Sequence, residues 1–438
     1  MSRGAAGPGV AISAILLLAS SALFVLSFLV VKLFFLTLFL GAALFDVFRR
    51  GRITLQPRLL YFYGLLSIAG LVWAIVGLQH PGNFTVGIFD SVRLYVVWSA
   101  AFVVFYTLLR TVPSLSLLHT ALVLAGIGIA LINVTALADT YWNWGLVPTD
   151  FREALVLHIG IHDGYVQMTT VNIASLFLIV PYLLTLQLRA DAGSSNSKLT
   201  KLSLFLCLVL TALSGRRALW LTVALTPITL LLLAWVSGQH DRLSLGGRRF
   251  LLAYSTFAVL GVGATTVLKT PLAQAGYIQH LGDAFSSEDE RSIQKGFLMN
   301  AFAEAPVLGS GFGAYAGYRR SDDSPWMYEL TYQQMLFNLG IVGVSLVGGI
   351  YCLYLLLVIR TFRISSRAPA IPFALLVGLV SVLIGVYSNP YAKSFDVLLF
   401  VGLLPYLATF PPEFDEAVDE GHGFSAVRSH DVPGASAI

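Results

Sequence analysis

The stretch from Arg291 to Gly340 gathers most of the side chains in this chain that could do chemistry. It reads RSIQKGFLMNAFAEAPVLGSGFGAYAGYRRSDDSPWMYELTYQQMLFNLG and sets the carboxylate of Glu329, more suited to chemistry than Glu304, Asp322 and Asp323, beside the cations Arg291, Lys295, Arg319 and Arg320. On a helix, Glu329, Tyr332, Gln333 and Leu336 would share one face. A carboxylate so placed can take the proton from a hydroxyl nucleophile, while guanidinium forks grip phosphate oxygens in pairs and steady a departing anion. Glu329 has a plainer reading as well, as a partner of the helix dipole in a first turn.

Arg216 and Arg217 sit in a short turn, SGRRALW, between two apolar runs. An arginine costs about 2.5–3.5 kcal/mol at the centre of a membrane span and less toward its ends. The adjacent pair therefore either snorkels to lipid headgroups or recognises a substrate pyrophosphate. Arg291 and Lys295, four residues apart, share a helix face after the acidic run Ser287 to Glu290. They form a solvated face, or else point into the space above the spans while Phe297, Leu298, Ala301 and Phe302 press the helix onto the membrane domain. Asp322 and Asp323 follow Arg319 and Arg320 closely enough to neutralise them. Pro306 to Gly313 contains GxGxG without the flanking βαβ pattern of a dinucleotide site. It reads as a tight turn that brings main-chain N–H groups to an anion or returns the loop to the fold.

The histidines form no HxxH or HExxH pattern; His158 and His162, four apart beside Asp163, suit an interfacial helix better than a metal site. Cys207 and Cys352 lie in apolar runs and read as small core residues. Neither a metal nor a cofactor is expected. Lys32, Asp46, Asn133 and Asn172 are the notable polar residues in or near the apolar runs, too few and unpaired for a proton relay.

These residues need a scaffold, and composition names its class. The chain has 438 residues, 57% hydrophobic and 11% charged, against about 25% charged in soluble domains, which excludes an ordinary soluble enzyme. The expected fold is all-α, a polytopic membrane protein of about twelve helices, over 10–27, 29–47, 59–79, 92–109, 115–137, 168–188, 200–214, 218–238, 250–268, 341–359, 370–387 and 395–410. The first two would be joined by a tight turn near Ser27 to Lys32. Most lysines and arginines fall in alternate short loops, which places both termini inside; the same scattering leaves no footprint for nucleic acid. Residues 1–410 form one transmembrane domain, with external loops at about 138–167 and 270–340. The first loop is an interfacial helix or lid, the second large and partly helical. Residues 190–197 read as a flexible linker and 411–438 as a disordered cytoplasmic tail.

The order of these features resembles the O-antigen ligase and O-antigen polymerase superfamily. The resemblance is carried by the SGRRALW turn, the early Arg291 of a large external loop, APVLGSGFGAY, and Glu329 followed by Gly340, over roughly residues 200 to 345. It implies that Arg216 or Arg217 and Arg291 contact an undecaprenyl pyrophosphate, and that Glu329 activates an acceptor hydroxyl. The implied reaction is a metal-independent, inverting glycosyl transfer at the periplasmic face of the bacterial inner membrane. Ligases usually carry histidine at the Glu329 position, so this chain tilts toward a polymerase of lipid-linked repeat units. Its partners would then be the lipid-linked glycan, membrane lipids and, as a candidate, a chain-length regulator. A lipid-linked oligosaccharide transporter is the competing class, expected to show broken helices and charged residues within spans.

Overall fold

The computed structural model describes residues 8–25, 27–50, 55–109, 114–162, 165–195, 197–214, 216–244, 290–319, 322, 324–364, 369–386 and 394–408. The expected span at 250–268, the loop segment 270–289, Arg320 and the tail 411–438 lie outside them.

Long runs of Leu, Ala, Val and Phe fold as helices because a helix satisfies its own backbone polar groups within one segment. They are α1 (Pro8–Leu23), α2 (Leu29–Arg50), α3 (Pro57–Gln79), α4 (Thr85–Leu109), α5 (Ser114–Trp142), α6 (Thr149–Ala154), α7 (Leu176–Leu188), α8 (Lys198–Leu213), α9 (Arg217–Val236), α10 (Glu290–Glu304), α11 (Thr331–Ile364), α12 (Ala370–Val386), α13 (Phe395–Val401) and α14 (Leu403–Leu407). Local chemistry sets several starts. Pro57 opens α3, where its missing N–H costs nothing, and the Ser197 and Ser394 hydroxyls cap α8 and α13 by accepting from Thr200 N–H and Val397 N–H.

Among the described residues, seven helices are long and apolar enough to cross a membrane: Leu29–Arg49, Pro57–Gln79, Thr85–Leu109, Leu115–Trp142, Val171–Leu188, Ala218–Val236 and Thr331–Ile364. Gly9–Leu23, Ala370–Val386 and Phe395–Leu407 are shorter and apolar. Several boundaries differ from the sequence reading. The helix expected from residue 92 begins at Thr85; its first segment carries Asp90, and a π-helical turn, Arg93–Trp98, follows it and begins with Arg93. The one expected at 341 begins at Thr331 and kinks at Gly340. The last breaks at Gly402 into α13 and α14. The first turn spans Phe24 to Phe28, so Lys32 lies inside α2.

The segment at 138–167 is not simply an interfacial helix. After α5 and the short α6, strands β1 (His158–His162) and β2 (Tyr165–Thr169) pair antiparallel. In their register Ile159 stands opposite Met168 and Ile161 opposite Val166, apolar residues at alternate positions as a strand's period of two asks. The helical spacing assumed for His158 and His162 therefore does not hold. Buried Asp139 anchors the segment by accepting from the N–H groups of Leu146 and Val147 and pairing with Arg152. The expected linker at 190–197 is tied down too: Ala190 N–H donates to the Arg242 carbonyl and Arg189 pairs with Asp191.

One large apolar core unites the helices, with α7 central and packed most extensively on α12. A second, smaller cluster joins Leu298 of α10 to Ala314, Ala316, Tyr328, Leu330 and Phe337. That cluster packs α10 against the loop and the start of α11 within the Arg291–Gly340 region.

Candidate functional site

The second cluster fixes Glu329 from below. Helix α10 presents Arg291, Gln294 and Leu298 along one face, at spacings of three and four residues. Leu298 is fully buried against the loop. Gln294, also buried, accepts the N–H groups of Glu329 and Leu330 on its Oε1, at 3.1 and 3.2 Å. Arg291 reaches the side chain: its Nε donates to Glu329 Oε2 at 2.9 Å. The guanidinium is 53% exposed and the carboxylate 23%, so the pair opens to solvent on the arginine side.

Glu329 does not occupy a first helical turn. The Leu330 carbonyl accepts the first intrahelical bond, from Gln334 N–H, and α11 begins at Thr331. The carboxylate therefore stands in the loop before the helix, held through its own backbone. Beside it, Tyr328 is fully buried and its hydroxyl accepts the Ala316 N–H at 2.7 Å. Burial pushes that phenol up to about 12.

Four glycines lock this loop to the bundle. Gly309, Gly311 and Gly313 take φ of 71°, 77° and 76°, and Gly340 takes 62°. A Cβ at Gly311 would fall 2.2 Å from the Gly77 nitrogen of α3, and one at Gly340 would fall 2.3 Å from the Val307 carbonyl oxygen. Backbone thus lies directly on backbone, as only glycine permits. Ser310 and Gly311 N–H donate to the Phe337 and Asn338 carbonyls, Phe312 N–H to the Trp73 carbonyl, and Phe84 N–H to the Gly313 carbonyl. Trp73 Nε1 donates to the Leu308 carbonyl, and Asn83 Nδ2 to that of Ser310. Of the two roles open to GxGxG, the return of the loop is the one these contacts serve, since the N–H groups of Gly309, Ser310, Gly311 and Phe312 already have carbonyl partners. The motif returns the loop to the fold.

The other candidate residues are spread more widely. Lys295 is exposed one turn beyond Arg291. Arg319 pairs with Asp322 at 3.2 Å on the surface. Tyr332, in the first turn of α11, donates its hydroxyl to the Leu383 carbonyl of α12. Gln333 is buried, with no hydrogen-bond partner for its Oε1 among the described residues. Arg216 caps α9 and donates from Nη2 to the Thr170 carbonyl at 3.0 Å. Thr170 in turn belongs to a buried cluster with Asn133 and Asn172. Arg217 is the first residue of α9. The structure thus joins Arg291 to Glu329 and ties Arg216 to Thr170. Cys207 is buried as expected of a core residue, whereas Cys352 is exposed on α11. Among the described residues no group of three His, Cys, Asp or Glu is arranged to hold a metal ion.

The polar residues in the apolar runs are not unpaired. Besides the Asn133–Asn172 contact, Lys32 of α2 meets Asp396 of α13, with Nζ 2.7 and 2.8 Å from the two carboxylate oxygens and both side chains 2% exposed. Sequence reasoning missed Asp396 and Gln294. A lone aspartate in FDVLLFV was the signal for the first; for the second it was a glutamine midway between Arg291 and Leu298 on the inward helix face.

No family model matches the chain, and no curated protein matches it.

Proposed function

We propose that the protein is a polymerase-type membrane glycosyltransferase, moving an undecaprenyl-pyrophosphate-linked glycan onto a sugar hydroxyl at the periplasmic face of a bacterial inner membrane. In this reading about twelve spans run with both termini inside, and the Arg291–Gly340 loop is periplasmic. One observation carries it: a guanidinium and a carboxylate in direct contact, mounted by backbone clamps at one end of an apolar helical bundle.

The chemistry follows from the pair. Exposed ion pairs contribute only about 0.2–1 kcal/mol, so a pyrophosphate can draw Arg291 away from Glu329 at small cost. The freed carboxylate then faces the acceptor hydroxyl. As the hydroxyl oxygen bonds to the anomeric carbon from the far side, its proton passes to Glu329. The bond from that carbon to the phosphate oxygen breaks, the electron pair leaves with the lipid pyrophosphate, and configuration inverts. Arg291 stabilises the leaving charge. Gln294 keeps the carboxylate in place, since a small displacement of a reacting group is costly in rate.

A second reading, a lipid-linked oligosaccharide transporter, draws support from the buried Lys32–Asp396 pair and from the helix broken at Gly402. One experiment separates the two. Reconstituted protein receives lipid-linked repeat units in both leaflets, and the products are resolved on a gel. A transferase makes polymer and a transporter makes none. Glu329→Gln keeps the shape but removes the base and should abolish polymer while the protein remains folded in the membrane. An unchanged chain-length distribution would refute the catalytic role.

A further inference from the structure

A cavity of about 220 Å³ opens between the first turns of α2 and α4 and the start of α13, beneath Trp326 and Met327 of the loop that carries Glu329. The Lys32–Asp396 pair lines it, both side chains 2% exposed. Asp90 and Arg93, paired at 2.9 Å and partly exposed, line it as well, and Trp98 and Trp326 supply aromatic surface. The π-helical turn from Arg93 to Trp98 holds Arg93 and Trp98 on the lining face. The Trp326 indole rests on the Gly87 backbone, where a Cβ would come within 2.7 Å of the ring.

This lining selects a chemical class. Its two cations and two carboxylates are matched, so an anion would meet Asp90 and Asp396, and a cation would meet Lys32 and Arg93. A neutral ligand carrying hydroxyls can donate to the carboxylates and accept from the cations at once. Aromatic rings offer apolar surface to the C–H faces of a flat, oxygen-rich ring, and small-ligand sites combine such surface with a few placed polar groups. The volume suits one ring rather than a chain. Buried charged residues inside a span are expensive to maintain and mark functional positions.

We propose that this cavity seats a single neutral pyranose, the sugar that presents the acceptor hydroxyl to Glu329. The assignment rests on the transferase reading above and names the acceptor side of it. Trp326 and Glu329 are three residues apart, a separation of at most roughly 11 Å between Cα atoms, so the indole that lines the cavity and the carboxylate belong to one short segment of the loop.

The test uses the full-length protein in nanodiscs and a panel of α- and β-methyl glycosides of neutral hexoses and N-acetylhexosamines, read by saturation-transfer NMR. At least one glycoside should bind the wild type. Gly87→Ala, which displaces the indole while altering no polar group, should weaken that binding at least tenfold, and Asp90→Ala should do likewise. Glu329→Gln should retain it. Absence of binding by every glycoside, or binding indifferent to Gly87→Ala and Asp90→Ala, overturns the assignment. Binding that depends on the cavity while Glu329→Gln still makes polymer leaves the sugar seat standing and removes its acceptor role. Loss of polymer in Glu329→Gln with no glycoside bound removes the seat and leaves the transferase.

Discussion

Replacing Gly311 by alanine should release the loop that carries Glu329, and the size of the effect can be worked from distances. The new Cβ would stand 2.2 Å from the Gly77 nitrogen and 2.4 Å from its Cα, whereas ordinary contact begins at 3.4 Å. The neighbours are backbone, so the loop must withdraw from α3 by about 1.2 Å, the difference between 3.4 and 2.2. That carries Phe312 N–Trp73 O and Trp73 Nε1–Leu308 O, now 3.1 and 2.8 Å, to roughly 4 Å, outside hydrogen-bond range. Two such bonds contribute about 1–3 kcal/mol. A side chain in the left-handed region adds about 1–2 kcal/mol, for a total of roughly 2–5 kcal/mol against the closed loop. At about 1.4 kcal/mol per factor of ten, the closed-to-open ratio falls roughly 30- to 4,000-fold. Limited trypsin digestion at the exposed Arg319 reads the open population directly when closing is fast. Gly348→Ala is the control. That glycine lies in α11 with nothing within 4 Å of the added Cβ, and alanine there should stabilise by about 0.5–1 kcal/mol through helix propensity. Equal cleavage rates for the two variants would refute the clamp.

Gln294→Met removes the acceptor of two N–H groups, a loss of about 1–3 kcal/mol for each one left unsatisfied. It should lower polymer synthesis in membranes that still contain Glu329, and Gln294→Glu, which restores an acceptor oxygen, should recover part of it; equal activity in all three proteins would remove Gln294 from the site. Lys32→Met strands a buried carboxylate and should destabilise by about 3–5 kcal/mol, whereas Lys32→Met with Asp396→Leu should come near or above wild type. Thermal unfolding in detergent measures both, and a double variant as unstable as the single one would show that the pair holds more than its own charges.

The helical architecture was legible because its signal is local: an apolar run of sufficient length declares itself wherever it sits. Arg291 and Glu329 were legible as candidates by type alone, a phosphate-gripping fork and a base. Their contact was not, because it depends on how α10 packs across Leu298. Glu329 read as a first-turn residue although α11 begins two positions later, since neither Glu329 nor Leu330 carries a capping signal and the first accepting carbonyl belongs to Leu330. Repeat spacing left GxGxG with two roles, and the choice came from Gly77, Phe84 and Asn338, which no local window contains. Lys32 and Asp396 are 364 positions apart, so each appears alone in its own run. The strands at 158–162 and 165–169 were hidden by aromatic and apolar residues that suit helix and strand alike.

The glycine contacts that fasten the loop to α3 and α11 are between main-chain atoms, so they do not depend on the side chains beside them. Arg319 projects outward from this frame, whereas Tyr315 and Tyr318 pack against the rings of Phe84 and Phe297. Substitutions at Arg319 can change the outer surface while the glycine contacts hold. The glycine frame thus behaves as a fixed chassis, on which recognition can diversify without retuning the reactive group.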